Sequence, residues 1–292
     1  MLQDNSFGQR GIEFALKYLK TNHVMKEFSL DNNKINSMKD IKQLCQIVKE
    51  HPSVETLSLN GCNGEGINSY EMLQMIMDAG NSKLENLNLS ANNISTGGDT
   101  FISEFLANNS MLDTLYLAFN QLGDNDANTI ANALKHNTTL RTLDLTDNNI
   151  SKSGWEALRK VEFDDTSLNS VADSNHTCLI IYPSGDDEIQ GLDTSEMNGN
   201  LDYHFVSLYV RQKKVYSVLS SRNRDCSNVG HFDDVPVEFL PAMICTIQQY
   251  SNYHVQEYTP RQDSRDVNPL SLVYEICRYW DKSLAVYELL SS

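Results

Sequence analysis

Five segments between Met25 and Ser151 share one spacing: apolar, two residues, apolar, one residue, apolar, two residues, and then usually asparagine. They read MKEFSLDNN (25–33), VETLSLNGC (54–62), LENLNLSAN (84–92), LDTLYLAFN (112–120) and LRTLDLTDN (140–148). Successive copies start 29, 30, 28 and 28 residues apart. A repeat of that length constrains the fold before any local pattern does. Each copy is one supersecondary unit too small to bury its own apolar face, so neighbouring copies must stack.

Within a copy, Leu87 and Leu89 stand two apart and therefore point to one face of a short strand. Asn33, Asn92, Asn120 and Asn148 follow the strands, and each amide carries both donors and an acceptor. A buried turn leaves backbone groups that only a side chain can reach, so these asparagines are expected to form a structural ladder between coils. Cys62 takes that place in the second copy, where a small thiol suits a buried site. The second half of each copy has helical spacing. Residues 124–137 carry Ala127, Ile130, Ala131 and Leu134, with Asp124 as a candidate N-cap and Asn137 as a left-handed C-terminal residue. Residues 96–108 and 38–49 repeat the stripe through Phe101, Phe105 and Leu106, and through Ile41, Leu44, Cys45 and Val48.

These motifs resemble the leucine-rich repeat, and the period with its helical half resembles the ribonuclease-inhibitor-like class. The resemblance covers about residues 2–178. It implies an α/β fold: a curved solenoid with parallel concave strands, convex helices and, in this chain, a helical C-terminal region. The family tolerates cysteine at the ladder position, in keeping with Cys62.

The organisation expected is an N-terminal half-repeat and cap helix over 1–24, five repeats over 25–165, a degenerate capping repeat over 166–180, an acidic loop over 181–202 and a helical region over 203–292. Helix Gly11–Lys20 is the expected minimal cap; the alternatives are that the chain continues something longer, or that its first strand edge meets a partner. A further step of 28 residues lays 166–178 over 138–150, placing Leu168 on Leu140, Val171 on Leu143 and Asp173 on Leu145.

Composition narrows the function. The formal net charge is −16, from 39 acids against 23 bases. Such a surface disfavours nucleic acid, which needs clustered positive charge, and favours a basic protein partner by steering. No run of about eighteen apolar residues is present to span a membrane, and MLQDNSFGQRG has no basic, apolar leader pattern. Six cysteines without a C-x-x-C pair point to reduced thiols, hence to the cytoplasm, with the nucleus as an alternative. Cys178, Cys226, Cys245, Cys277, His176, His204, His231 and His254 fall late in the chain without metal-ligand spacing. GCNGEG at 61–66 lacks the Lys-Ser/Thr of a phosphate loop. No catalytic residue, metal or cofactor is expected, nor a small-molecule ligand.

Binding is therefore sought on the concave face, whose residues alternate with the strand leucines. Tyr116 is its single aromatic and lies mid-array, with Thr114, Asn86, Asn88 and Asp144 beside it. Glu27 and Asp31 lie on the first coil, and Phe119 in the turn after Tyr116. A central aromatic ringed by small polar groups fits a recognition hot spot. Residues 209–224, holding Arg211, Lys213, Lys214, Arg222 and Arg224, form the one basic run, read as a solvated helix face or an anion-binding surface. The resemblance implies non-catalytic protein recognition by a scaffold, adaptor or inhibitor. Its alternatives are a regulator of a small GTPase similar to the Ran GTPase activators, or an actin-capping type of binder.

Overall fold

The computed structural model describes residues 7–80, 83–164, 166, 168–183 and 214. Residues 7–163 and 177–183 lie in one compact unit; 164–176 and Lys214 lie in a second. The expected acidic loop and the C-terminal helical segments lie, Lys214 and residues 181–183 aside, outside the described residues.

The first unit alternates helix and strand. Its strands are β1 (Glu27–Ser29), β2 (Thr56–Ser58), β3 (Asn86–Asn88), β4 (Thr114–Tyr116), β5 (Thr142–Asp144) and β6 (Leu179–Ile181). They form one sheet in chain order, all neighbours parallel and in register. The helices are α1 (Gln9–Thr21), α2 (Met38–Glu50), α3 (Ser69–Gly80), α4 (Phe101–Asn108), α5 (Asp124–Leu134) and α6 (Lys152–Glu162). This is the curved α/β repeat solenoid, with an open sheet on one side and helices on the other.

The repeat puts equivalent residues in line. Phe28, Leu57, Leu87, Leu115 and Leu143 pair across the sheet, and all are buried. Leu30, Leu59, Leu89, Leu117 and Leu145 form a second buried row. Each helix returns an apolar stripe to this core, as Ala127, Ile130, Ala131 and Leu134 do from α5. Removing one such leucine would cost about 2–5 kcal/mol, since a neighbouring coil cannot collapse into the space.

The ladder is continuous from coil to coil. Asn120 Oδ1 accepts the N–H groups of Ile94 (2.9 Å) and Asn92 (3.1 Å). Its Nδ2 donates to Leu89 O (3.1 Å) in the preceding coil and to Leu117 O (2.9 Å) in its own. Asn148 repeats this with Leu122 N, Leu117 O and Leu145 O. Asn33 Oδ1 accepts Phe7 N at 3.0 Å, so Phe7 stands to Asn33 as Leu122 stands to Asn148. Cys62 bonds through its thiol to Leu30 O at 3.1 Å.

A second polar row, not anticipated from the sequence, lies ahead of the strands. Asn109 Oδ1 accepts Met111 N and Leu112 N; Asn137 Oδ1 accepts Thr139 N and Leu140 N. Asn137 is thus not the left-handed helix terminator expected, because its side chain, rather than its backbone, closes the turn. His51 stands in the same place and its Nδ1 accepts Ser53 N and Val54 N. Its Nε2 bonds Asn22 O at 2.8 Å, which makes the ring the neutral Nε2–H tautomer.

Three further expectations change. Helix α4 begins at Phe101 rather than 96, because Gly97 and Gly98 take φ of 66° and 85° and keep the segment out of the helix. Asp124 is the first residue of α5 rather than its cap; Gly123 is the cap, and its N–H donates to Asp126 Oδ2. Asp124 instead holds the entry to α6, accepting from Ser151 N, Ser151 Oγ and Ser153 Oγ. The sixth coil does not follow the 28-residue step. Ile180, not Val171, pairs with Leu143, and Leu168–Asp173 form a short helix, α7, in the second unit. An insertion carries the chain away before the strand pattern resumes at LII.

Candidate interaction surface

The residues beside the strand leucines face away from the core, but several are already engaged. Asp31 Oδ1 accepts Ser58 Oγ (2.6 Å) and Asn60 N (2.9 Å). Asp144 Oδ1 accepts Thr146 N and Thr146 Oγ1, and Asn88 Oδ1 accepts Ser90 N. Asn86 Nδ2 donates to Thr56 Oγ1. These side chains hold the strand ends. Thr114, read as a contact residue, is buried and bonds Asp113 Oδ2. It sits between Asn86 and Thr142, which pair with it on either side and shield its short side chain. Glu27 is exposed, and Tyr116 is half-buried between Asn88 and Asp144.

Charge gathers along the margin where the strands begin. Lys26 pairs with Glu55 at 3.0 Å and Arg141 with Asp113 at 2.9 Å. Glu85 lies between these pairs, exposed and without an ion pair among the described residues. The Lys26 ammonium is pushed above its ordinary value, chiefly by its hydrogen bond to Glu55, with Glu85 adding to the pull. Sequence reading passed over Glu85 because it lies one residue before the strand; only the stacking makes it central.

The opposite margin, where the strands turn towards the helices, is shaped by backbone conformation. Asn32, Gly61, Ala91, Phe119 and Asp147 occupy one station in successive coils, each just before a ladder residue, and all have φ between 53° and 66°. This left-handed region suits glycine and asparagine and costs other residues about 1–2 kcal/mol. A bulky ring there is a genuine outlier. Phe119, at φ 54°, is 63% exposed.

Of the basic run, only Lys214 lies within the described residues. It is buried, not solvated, and its Nζ donates to Asn175 O at 2.8 Å inside the second unit. Cys45, Cys62 and Cys178 are buried thiols. Burial pushes the Cys45 and Cys62 thiols up to about 12, which keeps them from acting as nucleophiles. Among the described residues no group of three or more histidine, cysteine, aspartate or glutamate side chains is placed to hold a metal, and no helix is long and apolar enough to cross a membrane.

Comparison with known proteins agrees with the stacked coils. The leucine-rich repeat family model matches residues 108–131 and 136–158, the fourth and fifth coils. The chain carries leucine-rich repeats. No curated protein matches it. Among solved structures it is similar to leiomodin-1 actin-binding site 2, at 14% identity and a TM-score of 0.39, over 65% of this chain and 97% of that one. A likeness at that level carries nothing about what this chain binds.

Proposed function

We propose that this chain is a non-catalytic protein-recognition module of the ribonuclease-inhibitor-like type, acting inside the cell as an adaptor, scaffold or inhibitor. Its partner lies against the concave sheet and the turn margin beside it. Phe119 carries this reading. The chain holds a large apolar ring in a costly backbone conformation and leaves most of it in water, where that surface adds nothing to the core. An exposed aromatic on a rigid coil is a recognition anchor at low entropic cost, and Tyr116, three residues earlier on the same coil, extends the aromatic surface. Glu85, Glu27 and the net charge favour a basic partner, whose association is steered by charge.

The test is capture of partners from the source cell on immobilised wild-type protein, Phe119→Gly, Tyr116→Ala and the exposed-helix control Asn128→Ala. Partners held by wild type and Asn128→Ala should be lost with Phe119→Gly and reduced with Tyr116→Ala. Retention of every partner by both aromatic variants would refute the proposal. Higher salt should slow association more than it speeds dissociation.

A further inference from the structure

Beside Phe119 the turn margin opens into a cleft of about 610 Å³ spanning the first three coils, lined among others by Lys34, Asn36, Asn63, Glu65 and Asn93. Its donors and acceptors are unequally spent. Asn36 Oδ1 accepts the Glu65 N–H at 2.9 Å, and Asn93 Oδ1 accepts from Gln121 Nε2. Both carboxamide oxygens are therefore committed to holding turns, which fixes the orientation of each amide. Both residues are exposed, and their Nδ2 groups donate to nothing among the described residues. Lys34 is likewise exposed and without an ion pair there. Asn63 has the converse deficit: its Nδ2 donates to Asn92 O, while its Oδ1 is buried and meets no donor.

The cleft thus offers three unmet donors, on Asn36, Asn93 and Lys34, and the exposed Glu65 carboxylate as acceptor, while the Asn63 oxygen is closed off from its surface. One lysine and one glutamate line it, so its formal charge cancels. A free anion gains little from such a balance. A neutral group carrying both carbonyls and N–H groups fits it, and the peptide main chain is that group. Gly64 lets the first two coils approach closely at the cleft, since a Cβ there would clash with Asn36 Oδ1 and Ile35 O.

We propose that this cleft binds the main chain of an extended peptide segment, Asn36 and Asn93 donating to its carbonyls. The proposal rests on the protein-recognition reading and assigns it a mode. Ala91 lines the cleft and holds the same station as Phe119, one coil earlier. Coils stack at about 4.8 Å, so the first and fourth lie about 14 Å apart, the reach of about four extended residues. A segment crossing the cleft along the stack therefore brings an apolar side chain onto Phe119 about four residues from the residue over Lys34.

The experiment is selection of random nine-residue peptides displayed on phage against the full chain. Selected peptides are then synthesised and titrated into wild type, Asn36→Asp, Asn93→Asp, Lys34→Ala, Phe119→Gly and Asn128→Asp. Aspartate keeps the oxygen that holds each turn, replaces the donor with an acceptor and adds one negative charge, for which Asn128→Asp is the control, so a purely structural role would leave binding unchanged. Lys34→Ala removes an exposed side chain and serves if an aspartate variant fails to fold. Asn36→Asp and Asn93→Asp should each weaken binding about five- to tenfold, the worth of one hydrogen bond, with Asn128→Asp inert. Failure to select any peptide, or selected peptides indifferent to Asn36→Asp, Asn93→Asp and Lys34→Ala, would overturn the proposal. Loss of binding with Phe119→Gly alone would leave protein recognition standing and remove the cleft from it. Loss with the asparagine variants alone would keep the cleft and remove the anchor.

Discussion

Asn120 accepts the backbone N–H of Asn92 at 3.1 Å, so Asn92 is held by its successor in the ladder as well as by its own turn. The carboxamide satisfies groups in two coils at once, and coil-to-coil cohesion is polar here as well as apolar. Asn120→Ala should therefore destabilise the array by about 1–3 kcal/mol, the cost of leaving buried backbone groups unpaired. Asn128→Ala, on the exposed face of α5, should change stability by no more than about 0.5 kcal/mol. Urea unfolding of the two variants checks this, and equal midpoints would contradict the ladder.

Phe119→Gly should move stability the other way. Glycine takes φ 54° without a Cβ penalty, so the folded chain should gain about 1 kcal/mol, less what glycine adds to the entropy of the unfolded chain. A thermal midpoint at or above that of wild type, together with lost binding, separates a recognition residue from a structural one.

Asp124 supplies a pH-dependent contribution. Hydrogen bonds from the Ser151 side chain and then the Ser151 backbone hold its carboxyl below the usual value. A depressed folded-state value means the stabilisation is present above the unfolded pKa and is lost as pH falls through the folded one. The window lies below the ordinary aspartate range. Asp124→Ala should lower stability by about 1 kcal/mol at neutral pH, as loss of a helix cap does, and the difference from wild type should shrink in acid. Chemical denaturation at neutral and acid pH measures it.

Thiol chemistry gives a test of packing. With their thiols pushed up to about 12, Cys45 and Cys62 should resist alkylation at pH 8 in the folded protein. Both should react promptly in denaturant without reductant. Peptide-resolved mass spectrometry after brief labelling distinguishes them, and rapid labelling of Cys62 in native protein would mean that the second turn opens readily.

The coil pattern was legible from sequence because it rests on two periods that few other arrangements produce. Alternation places Leu87 and Leu89 on one face, and a step of 28 to 30 residues brings Leu87 opposite Leu57 and Leu115. The ladder followed from the need to satisfy a buried turn. What escaped reading depended on neighbours in space. Thr114 looked like a free contact residue until Asn86 and Thr142 were set beside it. Asn137 looked like a helix terminator, but its carboxamide reaches Leu140 N, a contact that a helix-ending rule does not contain. Phe119 was legible as a candidate contact, but its left-handed φ and its exposure belong to the folded turn. The register of the sixth coil was missed because SVADSN retains an apolar residue at the expected interval while forming a helix; Ile180 arrives 37 positions after Leu143.

That detour has a practical side. The chain leaves the first unit after Phe163 and re-enters it at Thr177 to lay down β6. A stop codon placed after the fifth coil would therefore amputate a strand rather than free a finished domain. The unpaired edge of β5 would be exposed to whichever extended chain it met first. Tyr182, whose hydroxyl donates to Glu162 at 2.7 Å and whose ring lies 5.6 Å from that of Trp155, would be missing from α6. No single scission yields both units whole; separating them requires relinking the backbone in a new order.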